Sequence, residues 1–590
     1  MRLVEVRLLE GPNVYRLAPV VKLEVAVGRR RTWYGQREPA RHARVHLGAA
    51  EPAARWPDGI AAVAAWVRRL RAAHGDGSAG LVVHRTSEPG HWIVTWPLSA
   101  VERGRAIAEA AFALAERDVS PARRATLTGA QSRLLARHTA AIAAASIVPP
   151  TWVRDADRRM PIVSISGTNG KSTVTRLITH ILILGGRHVG TTTSDGILID
   201  ERIVEEGDWT GPGGATRILE RHDVDVAVLE TARGGIMLRG IGYESNDASV
   251  LTNVTSDHLD LQGIHTLPEL AEVKSTIVRM TCPDGWAILN GDDAHVVAIA
   301  RGVRAHVAFF SLDGEGSPAV RRHRARGGRA YLVRHGALVE VEGNDGPVHA
   351  FATVRDIPIT IGGLARHNVA NALAAAGAAR ALGASLEEVG RGLLDFRPSI
   401  DRSPGRLNIF RLGARVVIVD FAHNEAGIAA LLDVAEGIAG GAAGRAAPIT
   451  AIIGTAGDRP DDTLRGIGRI AAQRAQRVVI KETGKYLRGR TRESVVGELL
   501  AGAEAGGARA ADVPVYPSEA EALRAELNGG AGSVNAGSAS RPGSPRIVVL
   551  MCQEDREGVF RLLAELGARP VDVASELTAL VPRMQDRPRG

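Results

Sequence analysis

Residues 161–173, PIVSISGTNGKST, constrain this chain more than any other stretch. Apolar residues at 162–165 predict a buried strand, a glycine-rich turn follows, and Lys171-Ser172-Thr173 open a helix predicted over 172–184. The same grammar of strand, loop and helix recurs with short apolar strands predicted at 224–229, 248–251 and 286–289. Short apolar strands with helices between them indicate a mostly parallel sheet covered on both faces. A second series begins near 407, with strands predicted at 416–419, 449–453, 478–480 and 546–551.

The first 150 residues read differently. Alternating apolar runs at 3–8 and 21–25, separated by Gly11-Pro12-Asn13, predict strand, turn and strand. Helices are expected at 58–73 and 101–117 around strands at 80–84 and 92–96, and 120–150 reads as a helical connector ending in Pro149-Pro150. A chain of 590 residues is too long for one core. The expected fold class is α/β: a small α+β N-terminal domain (1–150), a central phosphate-loop parallel-sheet domain (151–395) and a Rossmann-like C-terminal domain (396–590). The Gly-, Ser- and Pro-rich run 528–545 is expected to be a flexible insert in the last of these.

Composition excludes several classes. Lys and Arg number 73 against 65 Asp and Glu, and the basic residues are scattered, so no nucleic-acid tail is indicated. The densest clusters, Arg29-Arg30-Arg31 and Arg321-Arg322-His323-Arg324, read as solvated faces or loops. Two distant cysteines, Cys282 and Cys552, support neither a disulfide framework nor a thiolate zinc site. The charged, alternating N-terminus is no signal peptide, and no stretch approaches the ~20 apolar residues of a membrane span. A cytoplasmic protein without membrane partners is expected.

The segment Gly167-Thr168-Asn169-Gly170-Lys171-Ser172 lies where a phosphate loop must lie, between a buried strand and a helix N-terminus. Glycines let backbone N–H groups approach phosphate oxygens, the helix end adds partial positive charge, Lys171 can reach terminal phosphates and Ser172 can hold Mg²⁺. The pattern GxxxxGK[ST] is not met, because position 165 is Ile.

GTNGKS resembles the loop of the Mur ligase family, which forms amide bonds on carboxylates at the expense of ATP. Further segments resemble that family in the same order. Val228-Leu229-Glu230 ends a strand, and the resemblance makes Glu230 a Mg²⁺ ligand. Residues 252–260, TNVTSDHLD, resemble its TN…DHLD segment, which assigns His258 to a second Mg²⁺. Lys274 matches a lysine that many members carbamylate into a metal ligand. Residues 363–371, GLARHNVAN, resemble the signature that places Asn371 on the nucleotide, and Pro404-Gly405-Arg406 implies a phosphate contact for Arg406. Residues 420–424, DFAHN, imply a ribose- or adenine-side contact for Asp420, and 454–459, GTAGDR, resemble a further family loop.

The resemblance therefore implies ATP and Mg²⁺ as cofactors. It implies catalytic roles for Lys171, Glu230, His258 and Lys274, metal contacts at Ser172, Glu230 and His258, and ATP contacts at 167–173, Asn371, Arg406 and Asp420. The runs GTTTSDG (190–196), TARGGI (231–236), Lys481-Glu482 and LRGR (487–490) resemble the Mur-ligase-like half of the cyanophycin synthetases, which attach arginine to aspartate side chains of a poly-aspartate backbone. Thr192, Thr193, Asp195, Arg233, His423, Arg488 and Arg490 are then the implied substrate residues, with His423 the one candidate base and a structural role for it equally open. Residues 8–17, LLEGPNVYRL, resemble that family's N-terminal domain, which holds polymer. One departure stands out: residue 150 passes directly into the Mur-like part, with no ATP-grasp domain between.

The expected partners are an amino acid and an anionic peptide or polymer acceptor, with a homo-oligomer and a separate ATP-grasp enzyme both left open. The rival readings are a γ-glutamyl or folylpolyglutamate-type ligase, a catalytically silent ATP-binding partner, and a P-loop GTPase or kinase. The last lacks a recognisable guanine-specificity motif.

Overall fold

A computed structural model describes residues 1–28, 48–117, 127–256, 264–441, 447–528 and 546–580. Three sheets organise them. The first has five antiparallel strands, with Val20–Ala26 between Arg2–Leu9 and His91–Pro97. Helices Asp58–Ala73 and Val101–Glu116 cover the face that Val21, Leu23 and Val25 present, burying Trp66 and Trp96 among them. Strand alternation sends Lys22 and Glu24 to the other face. That face is buried too: both residues are 0% exposed and paired at 2.8 Å. Tyr15, in the turn region between the first two strands, sits close enough to Glu24 and Glu5 that burial and their charges push its phenol pKa up.

The same turn region joins this sheet to the next. Val14 packs in the central core with Tyr15 and Leu17 against it. Glu10 N donates to Arg239 O and Ile241 N to Pro12 O, both at 2.8 Å. The backbones approach so closely at Gly11 that a Cβ there would lie 1.6 Å from Ile241 O, so only glycine fits.

The central sheet has eleven strands. Ile162–Ser166 lies in its middle, flanked by Val226–Glu230 and Asn246–Leu251, all parallel. Parallel pairing runs from Arg329–Arg334 across to Val189–Thr192, and each edge is closed by antiparallel strands. The alternation of short apolar strands predicts the parallel middle; the antiparallel edges come from hairpins such as Gly196–Ile199 with Arg202–Glu206, whose short, polar outer strand carries no apolar run to read. Helices Lys171–Leu184 and Arg366–Ala381 lie on one face, almost wholly buried.

The C-terminal sheet has seven strands in the order Val515–Tyr516, Arg477–Lys481, Ile449–Ile453, Arg546–Met551, Arg415–Asp420, Asn408–Leu412 and Arg569–Pro570. The first five are parallel and the last two antiparallel. Its core also takes in Ile361 and Ala365, which precede the joining segment in sequence. Residues 529–545 of the expected insert, and Arg29-Arg30-Arg31, lie outside the described residues.

A buried ion pair fastens this sheet. Lys481 Nζ meets Glu519 Oε1 at 2.8 Å, with side chains 0% and 1% exposed, and Glu519 also accepts backbone N–H groups of Gln553 and Asp555. Burial raises the Glu519 pKa, but Lys481 and those N–H groups outweigh it and bring it down to about 2. A carboxylate whose folded pKa lies below its unfolded value contributes stability above the unfolded pKa and loses it as pH falls through the folded one. Stability followed by circular dichroism should therefore fall more steeply between about pH 4.5 and about pH 2, and in Glu519→Gln the total loss across that window should be smaller by about 3 kcal/mol. An unchanged slope in the variant would sink the assignment.

Candidate active site

Strand register brings the site together. Ile165 lies opposite Glu230 and Ser166 opposite Leu251, so the loop at Gly167, the carboxylate of Glu230 and the segment from Thr252 emerge side by side at the carboxyl edge of the parallel sheet. That edge is where open parallel sheets bind ligands. Gly167 and Gly170 have φ of 148° and 88°, and a Cβ on Gly170 would lie 2.4 Å from Asn371 Oδ1. The loop is also tied to its neighbour: Thr168 N donates to Asn253 O and Asn169 N to Asn253 Oδ1, each at 2.9 Å.

Two lysines converge on one carbonyl. Lys171 Nζ donates to Gly167 O at 3.1 Å and Thr168 O at 2.9 Å, while Lys274 Nζ, from the buried face of helix Leu267–Arg279, donates to Gly167 O at 2.7 Å. With the helix N-terminus at Lys171, this concentrates positive charge at the loop mouth. Arg406 adds a third cation, donating from Nη2 to Ser172 Oγ at 3.2 Å and lying 4.6 Å from the Phe421 ring centre.

Glu230 is the anionic counterpart. It is 3% exposed, and burial raises its pKa against the opposing pull of Lys171, Arg406 and a hydrogen bond with Ser172. Among the described residues its Oε2 is buried without a hydrogen-bond partner. An orphaned carboxylate oxygen beside a serine hydroxyl is the oxygen donor set a hard divalent cation takes, so Ser172 and Glu230 fit Mg²⁺. His258 lies outside the described residues.

Between the central and C-terminal sheets a cavity of ≈ 330 Å³ opens beside the loop. Asn169, Gly170 and Thr173 line one end, Asn368 and Asn371 one wall, and Arg406, Asp420 and His423 the C-terminal side, with apolar surface from Phe310, Ile359 and Leu431. Asp420 accepts from Leu407 N at 2.8 Å and Ala422 N at 2.7 Å; burial raises its pKa, opposed by Arg406 and His367. Burial lowers the His367 pKa. Such a cavity can hold an anionic group at the loop end and a flat, hydrogen-bonding ring between the apolar walls. Asn169 and Asn424 pair side chain to side chain at 3.0 Å, bridging the two sheets.

The expected substrate residues divide. Thr192 lines a small space beside Glu230, and Arg233 opens the helix Arg233–Leu238 just beyond it. His423 lines the cavity, its Nδ1 3.1 Å from Phe421 O. Arg488 is exposed, 5.5 Å from the Tyr486 ring centre. Three others are engaged by the protein's own groups. Thr193 Oγ1 accepts from Asp195 N and Gly196 N in a turn, Asp195 is paired with Arg176 and Arg556, and Arg490 is bound to Asp461 and Ser494. Sequence reasoning missed Arg176 and Arg556, since an arginine inside a helix pattern carries no local signal.

Two family models match the chain. Residues 165–379 match the Mur ligase middle domain and residues 405–537 the Mur ligase glutamate ligase domain. The chain is 40% identical over 351 residues to the cyanophycin synthetase of Nostoc sp., which covers 60% of this chain and 38% of that protein. It is 42% identical over 324 residues to that of Synechocystis sp., covering 55% and 36%. To the UDP-N-acetylmuramoyl-L-alanyl-D-glutamate–2,6-diaminopimelate ligase of Alkalilimnicola ehrlichii it is 29% identical over 341 residues, covering 56% and 62%. The chain thus spans less than half the length of the cyanophycin synthetases it matches. Among solved structures, E. coli FolC in complex with DHPP and ADP aligns at 17% identity with a TM-score of 0.47, covering 69% of this chain and 88% of that one.

If Glu230 holds a divalent cation, Glu230→Gln, which keeps shape and removes charge, should leave the melting temperature near wild type. It should weaken Mg²⁺-dependent tightening of nucleotide binding, measured by titration calorimetry, by more than about tenfold. Equal Mg²⁺ dependence in both proteins would contradict the assignment.

Proposed function

This chain belongs to the Mur ligase family, whose two matched domains together span more than half of it, and on that premise we propose that it forms an amide bond between a carboxylate and an amino acid at the expense of ATP. The observation that carries the reading is the convergence of Lys171 and Lys274 on Gly167 O beside the buried Glu230, at the mouth of a cavity closed by Arg406 and Asp420.

A carboxylate at neutral pH resists attack by an amine and must first be activated. An oxygen of the acceptor carboxylate bonds to the γ-phosphorus, the bond to the bridging oxygen breaks, and ADP leaves. The amine nitrogen then attacks the acyl carbon, phosphate departs with the oxygen, and the nitrogen gives up a proton. Charge spreads over the transferring phosphoryl oxygens, so rate comes from cations held in place beforehand. Lys171, Lys274, Arg406 and the helix N-terminus are so placed in a mostly buried site, where their field is poorly screened. Mg²⁺ on Ser172 and Glu230 would neutralise further phosphate charge when bound. Asn371 and Asp420 would hold the nucleoside, and Thr192, Arg233 and Arg488 are the residues we assign, on the resemblance alone, to orienting acceptor carboxylates.

The substrate we propose is an aspartyl peptide or polymer, with arginine as the amine donor. Supporting it are the identities of 40% over 351 residues and 42% over 324 residues to cyanophycin synthetases and the GTTTSDG and TARGGI runs. ADP release should be measured over a panel of amino acids crossed with aspartyl and glutamyl peptides. Stimulation by arginine with an aspartyl acceptor is expected, and Lys171→Ala should lower it more than about a hundredfold. Stimulation confined to glutamyl acceptors would move the substrate to the γ-glutamyl class, and full activity in Lys171→Ala would refute the mechanism.

A further inference from the structure

The segment that carries the chain from the central sheet to the C-terminal one, between Phe396 and Leu407, is gripped by a ring of ions. Asp195, in the turn between Val189–Thr192 and Gly196–Ile199, accepts from Arg176 at 2.8 Å through Oδ2 and pairs with Arg556 at 2.8 Å through Oδ1. Arg176 belongs to the phosphate-loop helix and Arg556 begins a helix packed on the C-terminal sheet, so one carboxylate is shared between the two bodies. Each guanidinium also holds the segment's backbone: Arg176 donates to Arg402 O and Arg556 to Pro404 O, the latter at 3.1 Å. Two residues further on, Arg406 meets Ser172.

The grip is built for permanence on one side and for release on the other. Asp195 and Arg176 side chains are 7% and 6% exposed, whereas Arg556 is 28% exposed and is the arm contributed by the C-terminal body. Breaking the Arg556 arm leaves Asp195 with its buried partner, so opening strands no unpaired buried charge. A second tie lies one helical stretch away. His180, from the phosphate-loop helix, faces Glu201 and Asp395 at 2.9 Å each, and Arg402 lies 3.8 and 3.9 Å from the same two carboxylates. The segment is therefore fixed just before Arg406 reaches the loop.

We infer that Asp195 is a latch between the central and C-terminal bodies, and that Arg556 is a positioning residue that closes it and so sets Arg406 against Ser172. This deepens the ligase reading and rests on it only where turnover is the measurement.

The test compares the full-length wild type with Arg556→Gln and Arg556→Lys. With Arg556→Gln, ADP-release kcat should fall about tenfold while KM for the amine stays within about twofold, and Arg556→Lys should recover most of the loss. Small-angle scattering with a non-hydrolysable ATP analogue should show a larger radius of gyration for Arg556→Gln than for wild type, with Arg556→Lys between them. A melting temperature that drops while kcat and scattering both match wild type would overturn the latch, leaving Arg556 a stabilising residue. Scattering judges the latch even if the wild type releases no ADP with any acceptor, an outcome that would count against the ligase reading alone. Should Arg556→Gln fail to fold, Arg556→Met, which keeps the aliphatic stem and removes the charge, carries the same comparison, and wild-type values in both readouts would overturn the inference.

Discussion

Two ammonium groups on one carbonyl oxygen set the terms for the rest of this structure. Lys171 and Lys274 both donate to Gly167 O, next to a helix N-terminus that is itself partly positive. Like charges held this close in a mostly buried place repel strongly, and they persist only where carbonyls, a carboxylate or a bound anion offset them. Gly167 O and Thr168 O supply part of that offset, and the carboxylate of Glu230 supplies more through its attraction to Lys171. The remaining imbalance is the site's affinity for anions. To create it the chain needs a loop without side chains at Gly167 and Gly170, parallel strands that end together, and a second helix to deliver Lys274.

Burial of charge recurs elsewhere, both within sheets and between them. Lys22 with Glu24 lies on the face of the first sheet that turns away from its covering helices, Lys481 with Glu519 sits at the carboxyl edge of the C-terminal sheet, and Asp195 with two arginines spans the central and C-terminal bodies. Desolvating such pairs offsets much of what their attraction returns. Removing one partner, however, leaves a buried charge alone, and that penalty makes wrong arrangements of the bodies costly. The junction between the two bodies is thus specified by what would be left unpaired. The nucleotide-sized cavity lies in such a junction, which is why its far wall comes from residues more than two hundred positions beyond the loop.

Much of this was legible in the residues. The parallel strands stand within a few residues of their predicted places because a strand buried on both faces must be apolar throughout, and such runs are short and bounded. The phosphate loop was legible despite Ile165, since strand, glycines, lysine and helix occur in the order the chemistry needs. The antiparallel edges were not, because Arg202–Glu206 is exposed and mostly charged and looks like a loop. Lys22 and Glu24 alternate with apolar residues in a pattern that fits an exposed face, and only the tertiary structure shows that face to be buried, with Tyr15 close to Glu24. Asp195, Thr193 and Arg490 sit in motifs that suggest substrate contact, yet their polar atoms are engaged by the protein itself.

The sequence by itself determined the elements, their mostly parallel pairing and the loop that addresses phosphate, because these depend on local periodicity, on glycine's freedom and on residues a few positions apart. Tertiary structure alone decided which distant side chains share a charge. Lys274 on the loop carbonyl, Arg406 on Ser172 and Arg556 on Asp195 are pairings across 107, 234 and 361 positions. No local pattern encodes them, because a cation's partner is chosen by which buried carboxylate or carbonyl the packed sheets bring within hydrogen-bonding distance.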